Sequence, residues 1–270
     1  MTDHVLPAEL IDQVIDHLHD DVSSLRACSL TCRAWVPSAR FHLFHDVVLT
    51  PERAVNFMAL LETRPHISHF VRSLFIKGNP FQLYRKSYHF DAVIPAISSK
   101  LTRLKALRIE CVTLAQQGIV MSALIQNLST LRSLSISSVT FNRFRDFAAF
   151  IIAHPLLERL ELGQIWWNKS VDAASQWEDV FREYPELRSR LQSISLNDTS
   201  HNVFDWISSH YSVLPVRTLA VSTCHVSHIT KLLQVLGPSL EHLSFSIYSA
   251  QYPPKTQGPF PLPNPFFSAY

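Results

Sequence analysis

Leu104-Lys105-Ala106-Leu107-Arg108-Ile109 and Leu131-Arg132-Ser133-Leu134-Ser135-Ile136 share one pattern: apolar, two variable residues, apolar, one variable, apolar. The same hexad stands upstream as Val71-Arg72-Ser73-Leu74-Phe75-Ile76. Downstream it recurs at Leu157–Leu162, at Leu191–Leu196, more weakly at Val216–Val221, and at Leu240–Phe245. Aligned on the fourth residue (74, 107, 134, 160, 194, 219, 243), the steps are 33, 27, 26, 34, 25 and 24 residues. The alternation predicts a short strand whose fourth and sixth side chains face a core while the third and fifth face out. Between hexads the apolar spacing turns helical. Val120, Leu124 and Leu128 make one stripe, Phe144, Phe147, Phe150 and Ile151 another, Val180 and Phe181 after Trp177 a third, and Ile229, Leu232, Leu233 and Leu236 a fourth. Seven strand–helix units of similar length predict an α/β fold in which each unit buries its apolar edge against the next.

Period and pattern resemble leucine-rich repeats. No fixed Asn or Cys follows the strand, so the repeats are irregular. The resemblance implies an α/β solenoid over residues 67–249. Residues 250–270 hold six prolines and no helical pattern, and read as an extended or disordered tail. That tail either covers the last strand or marks a shortened form of a longer chain. The helix predicted by Thr50-Pro51-Glu52, running through Val55, Met58 and Leu61 to Pro65, makes 50–66 a linker.

The front of the chain, 1–49, is of another kind. Leu6-Pro7-Ala8-Glu9-Leu10-Ile11 opens it. Val14, Ile15 and Leu18 continue an apolar helical stripe, which Asp20-Asp21 ends. Asp21 or Ser23 can cap a second helix carrying Leu25, Cys28 and Leu30. Trp35 and Pro37 close that segment, and Ala39 to Phe44 form a third amphipathic stretch. About 45 residues are too few for a strong core, so the module gains by packing on something else. These residues, in this order and spacing, resemble an F-box. The resemblance implies docking on a Skp-type adaptor through Leu6, Pro7, Leu10, Ile11, Leu25, Leu30, Cys32 and Trp35. Thr31 stands where the family usually has an aliphatic residue, which weakens one contact.

An F-box followed by leucine-rich-like repeats implies a substrate receptor of an SCF-type cullin–RING ubiquitin ligase. Such a receptor holds the adaptor and cullin complex at one end and a target protein at the other, with no catalysis and no cofactor of its own. The second reading is a repeat scaffold in which the helical module is only a cap.

Composition agrees with a protein-binding role. A formal net charge of +2, with 17% charged residues, is no nucleic-acid footprint. No basic stretch precedes an apolar run at the N-terminus, and no apolar run reaches the roughly 18 residues of a membrane span. Cys28, Cys32, Cys111 and Cys224 form no disulfide framework, which points to the cytosol or nucleus.

Five glycines, at 78, 118, 163, 237 and 258, build no phosphate loop and no nucleophile elbow. His66 with His69, and His225 with His228 beside Cys224, have no second pair at ligand spacing, so no metal is expected. Cys28 and Cys32 read as small buried side chains. The outward strand positions form the candidate target surface. Phe75, Arg108, Glu110, Arg159 and Glu161 are its larger side chains, among many Ser and Thr. Trp166 and Trp167 follow one strand, either as an exposed anchor or buried under the long unit from 160 to 194.

Overall fold

The computed structural model describes residues 7–79, 88–114, 118–167, 190–210, 215–223 and 226–247. Eight parallel strands form one sheet in strict chain order. They are β1 Asp46–Leu49, β2 Ser73–Lys77, β3 Ala106–Glu110, β4 Ser133–Phe141, β5 Arg159–Trp167, β6 Ser193–Asn197, β7 Thr218–Thr223 and β8 His242–Ile247. Nine α-helices are found among the described residues: α1 Ala8–Asp16, α2 Val22–Thr31, α3 Val36–His45, α4 Pro51–Thr63, α5 Tyr88–Lys100, α6 Gly118–Asn127, α7 Phe144–Ile152, α8 His201–His210 and α9 Val226–Leu236. The chain is thus an α/β protein built on a parallel sheet. No helix among the described residues is long and apolar enough to cross a membrane.

The seven hexads are β2 to β8, and they pair in register. Leu74 lies opposite Leu107, then come Leu134, Leu160, Ile194, Leu219 and Leu243 in one unbroken row. Ile76, Ile109, Ile136, Leu162, Leu196, Val221 and Phe245 form the second row. A shift of one residue in any strand would turn both rows out into water, so the apolar parity fixes the register. Both rows are buried from β2 to β7. In β8 they come to the surface, and Leu243, Phe245 and Ile247 are exposed.

The units are also joined just ahead of each strand. The carbonyl of Arg72 accepts the amides of Lys105 and Ala106 at 2.8 and 2.9 Å. Lys105 does the same for Arg132 and Ser133, Arg132 for Glu158 and Arg159, Glu158 for Gln192 and Ser193, Gln192 for Arg217 and Thr218, and Arg217 for Glu241 and His242. Four units carry a left-handed residue at one repeat position, Cys111 and Asp198 just past β3 and β6 and Ser138 and Gln164 within the longer β4 and β5, with φ of 56°, 51°, 54° and 52°. Ser138 Oγ donates to Gln164 Oε1 at 3.0 Å, tying two of these residues together.

Three of the expected helical stripes are buried, on α6 with Leu128 just past its end, on α7 and on α9, apart from the half-buried Leu233. The stripe around Val180 and Phe181 lies outside the described residues, as does the tail from 248. One reading is corrected, on α4, and three elements, β1, α5 and α8, have no counterpart in the sequence reading. Residues 46–49, counted with the N-terminal module, form β1, with Val47 opposite Leu74 and Leu49 opposite Ile76. On α4 the inward residues are Ala54, Phe57 and Leu61, while Val55 is exposed. Helix α5 runs through Pro95, a residue that reads as a breaker, and still buries Ile94 and Ile97. Helix α8 buries Val203, Phe204, Trp206 and Ile207, of which Trp206 meets Phe144 and Phe147 at ring distances of 6.2 and 5.6 Å.

The N-terminal helices enclose a separate small core of Ile11, Ile15, Leu25, Cys28 and Ala39, with Leu18, Trp35 and Leu43 against it. Asp21 caps α2, its carboxylate accepting the Ser23 and Ser24 amides at 3.0 and 3.1 Å. Bonds first from the Ser24 hydroxyl and amide, then from Ser23, lower its pKa to about 2. His42 on α3 bonds Asp16 of α1 at 2.7 Å.

Two predictions follow from this packing. A Cβ at Gly78 would lie 1.9 Å from the Cys111 carbonyl oxygen, on the backbone to which Gly78 is bonded. Gly78→Ala must push β2 from β3, and a loss of about 1–3 kcal/mol in urea unfolding is expected. His154 is buried beside Phe150, and burial lowers its pKa to about 4. The Leu128 backbone offsets this only in part, since its approach falls short of a well-formed hydrogen bond. The unfolded chain, with an ordinary His pKa near 6.5, takes up the proton first. His154 therefore costs nothing above that value, and stability falls by about 3 kcal/mol as pH drops to about 4. His154→Leu should flatten the pH dependence of Tm across that window, and an unchanged slope would contradict the assignment.

Candidate functional site

Two surfaces gather the residues that the pattern singles out. The first is the outside of the N-terminal module. Helix α1 carries a stripe too broad for one small core, and the structure divides it. Ile11 and Ile15 turn inward, while Leu10 and Val14, one turn apart, are 45% and 49% exposed. On α2, Leu25 and Cys28 are inside, and Val22 and Leu30 are 50% and 86% exposed. Pro7 stands at the N-cap of α1, and Trp35 at the N-cap of α3, half-buried against the small core. Leu6 lies outside the described residues. Cys32, expected to be buried, is exposed at the C-cap of α2, because the chain turns extended there and leaves the helix face that buries Cys28. Of the eight residues expected to meet an adaptor, Ile11 and Leu25 are thus spent on the module's own core, and Pro7, Leu10, Leu30 and Cys32 face outward.

The second surface is the outward face of the sheet. Register sets Phe75 opposite Arg108, then Ser135, then Glu161. The Arg108 guanidinium lies 4.6 Å from the Phe75 ring centroid and also pairs with Glu110 at 3.1 Å. Lys77 Nζ stands 5.9 Å from the same ring. An aromatic face flanked by two cations and a carboxylate is a preorganised polar contact patch. Val48 of β1, opposite Phe75 and exposed, extends the patch. Sequence reasoning missed it because β1 was not recognised. Arg159 and Glu161 are exposed on β5, two strands beyond the Arg108 group. Trp166 and Trp167 belong to neither surface cluster. They follow the left-handed bend at Gln164, Trp166 is exposed, and Trp167 is half-buried with its ring 5.3 Å from Phe144.

Among the described residues no three His, Cys, Asp or Glu side chains gather as metal ligands would. His66 and His69 are exposed on the turn Pro65–His69, where Arg40 approaches His66 at 3.4 Å. Cys224 and His225 lie outside the described residues. No family model and no curated protein matches this chain.

The cysteines give a direct check on the N-terminal surface. In the folded protein an alkylating reagent is expected to label Cys32 first. Cys28 should react only on unfolding, and Cys111 slowly, because burial and then Glu110 push its thiol pKa up. Time-resolved peptide mass spectrometry reads the order, and equal rates at Cys28 and Cys32 would contradict this core.

Proposed function

We propose that this chain is a non-catalytic substrate receptor of an SCF-type cullin–RING ubiquitin ligase, with an F-box at residues 1–49 and leucine-rich-repeat-like units behind it. One observation carries the reading. The three-helix module closes a core of its own and still leaves Leu10, Val14, Val22 and Leu30 in water. A module of this size stabilises itself little, and several large apolar side chains kept outside fit a surface made to be covered by another subunit. The repeats support the reading through their long open face, on which Phe75, Arg108 and Glu110 form the strongest contact patch and Arg159 and Glu161 a second. The mechanism is proximity. The receptor holds adaptor and target on one rigid frame, so that ubiquitin transfer by a separate enzyme becomes effectively intramolecular.

The scaffold reading has one observation of its own: Phe44, near the end of α3, packs against the main core under the sheet, so the module also helps to cover the first strand. Adaptor binding separates the two. Wild-type protein should co-purify with a Skp-type adaptor. Leu10→Asp combined with Leu30→Asp changes only exposed positions, so it should keep the circular dichroism spectrum and weaken the complex about a hundredfold. Absence of a wild-type complex, or full binding by the double variant, would overturn the proposal.

A further inference from the structure

A groove of about 300 Å³ opens at the end of the sheet where strands β2 to β4 begin. It is lined by Arg72, Arg103, Lys105 and Arg132, with Thr130 and the apolar Leu156 on its wall. Three of these cations hold one repeat position, the residue before the strand, in three successive units. Their backbones are joined by the paired carbonyl–amide bonds from Arg72 to Lys105 and from Lys105 to Arg132. The side chains therefore rise from adjacent strands, and two strand spacings set the outer pair about 10 Å apart at the backbone.

Charge in this groove is poorly balanced. Arg132 meets Glu158 at 2.5 Å, and Arg72 is held through one nitrogen by the carbonyls of His69 and Val71 at 2.6 and 3.1 Å. Among the described residues Arg103 and Lys105 belong to no ion pair. Four cations thus face one carboxylate in a protein whose whole net charge is +2. Like charges this close repel, and a multiply charged anion between them turns repulsion into attraction. Further along the column the pattern stops: the same position is Glu158, Gln192, Arg217 and Glu241, and Arg217 is paired with Glu241 at 3.4 Å.

We propose that this groove binds a small polyphosphate anion. Its volume is at the lower end for a small-ligand site. Its cations form a row rather than one cup, which suits a chain of two or three phosphates better than a single one. Planar guanidinium groups take phosphate oxygens in pairs, and the Lys105 ammonium adds a point charge. The phosphate chain is the recognised chemistry, whether free or carried by a nucleotide. This site is independent of what the N-terminal module binds.

The test is calorimetric titration of the full chain with inorganic tripolyphosphate, and in parallel with ATP and with a singly phosphorylated serine peptide. Saturable tripolyphosphate binding that weakens with added salt is expected. Lys105→Glu and Arg132→Glu should each raise Kd about tenfold or more. Arg217→Glu, the same repeat position outside the groove, should leave it within about twofold. Equal affinity for ATP and tripolyphosphate assigns recognition to the phosphates alone, and tighter ATP binding makes a nucleotide the source. Tripolyphosphate should also raise the Tm of the wild type and not that of Lys105→Glu, which separates a lost site from a damaged fold. No saturable binding, an equal loss in Arg217→Glu, or a preference for the phosphopeptide would overturn the assignment.

Discussion

The carbonyl that precedes each strand organises this molecule. From Arg72 to Arg217 it accepts two amides from the next unit, so each strand is positioned by the one before it. Parallel strands need a long crossover, and among the described residues the helices α5 to α9 supply it between hexads. Once that bond pair is formed, apolar parity leaves one register available, and the rows of Leu, Ile and Val run through the sheet without interruption. The outward face of the sheet and the basic groove both follow from it. The outward row with Phe75 and Arg108 is the other parity of the same strands, and the basic row begins at the bonded residues themselves.

Much of this was legible in the sequence. The hexads are strongly alternating and separated by helical stripes, so β2 to β8 and the helices α6, α7 and α9 could be placed from period alone. The failures have particular causes. Strand β1 is four residues long and follows α3 without a break, so no alternation can develop. Helix α5 contains Pro95, whose local cost is outweighed here by burial of Ile94 and Ile97. In α8, Val203, Trp206 and Ile207 stand at the i, i+3, i+4 spacing of one helix face with Phe204 beside them, a short helical signal that went unused.

The surfaces were legible in a different measure. Parity told which strand positions face out, but not that Arg108 covers Phe75, because that contact joins residues 33 apart in sequence and requires the register. The broad stripe of α1 announced an amphipathic helix without saying which edge belongs to the inner core. The basic column had a signal that went unused: the second residue of the first three hexads is Arg72, Lys105 and Arg132, and the fourth is Glu158. Reading hexads as columns rather than rows brings it out.

The separate core of the N-terminal helices has a consequence for motion. Five buried apolar side chains hold that module, against the continuous core beneath the sheet. With the smaller core of the two, it is expected to open locally at a lower free energy than the middle of the sheet, so its amides should exchange with solvent sooner than those of β3 to β6. A ligand that recognises only its closed form adds stability there by mass action, in proportion to the logarithm of concentration over Kd. Any such stabilisation is local, because the two cores are separate clusters of side chains.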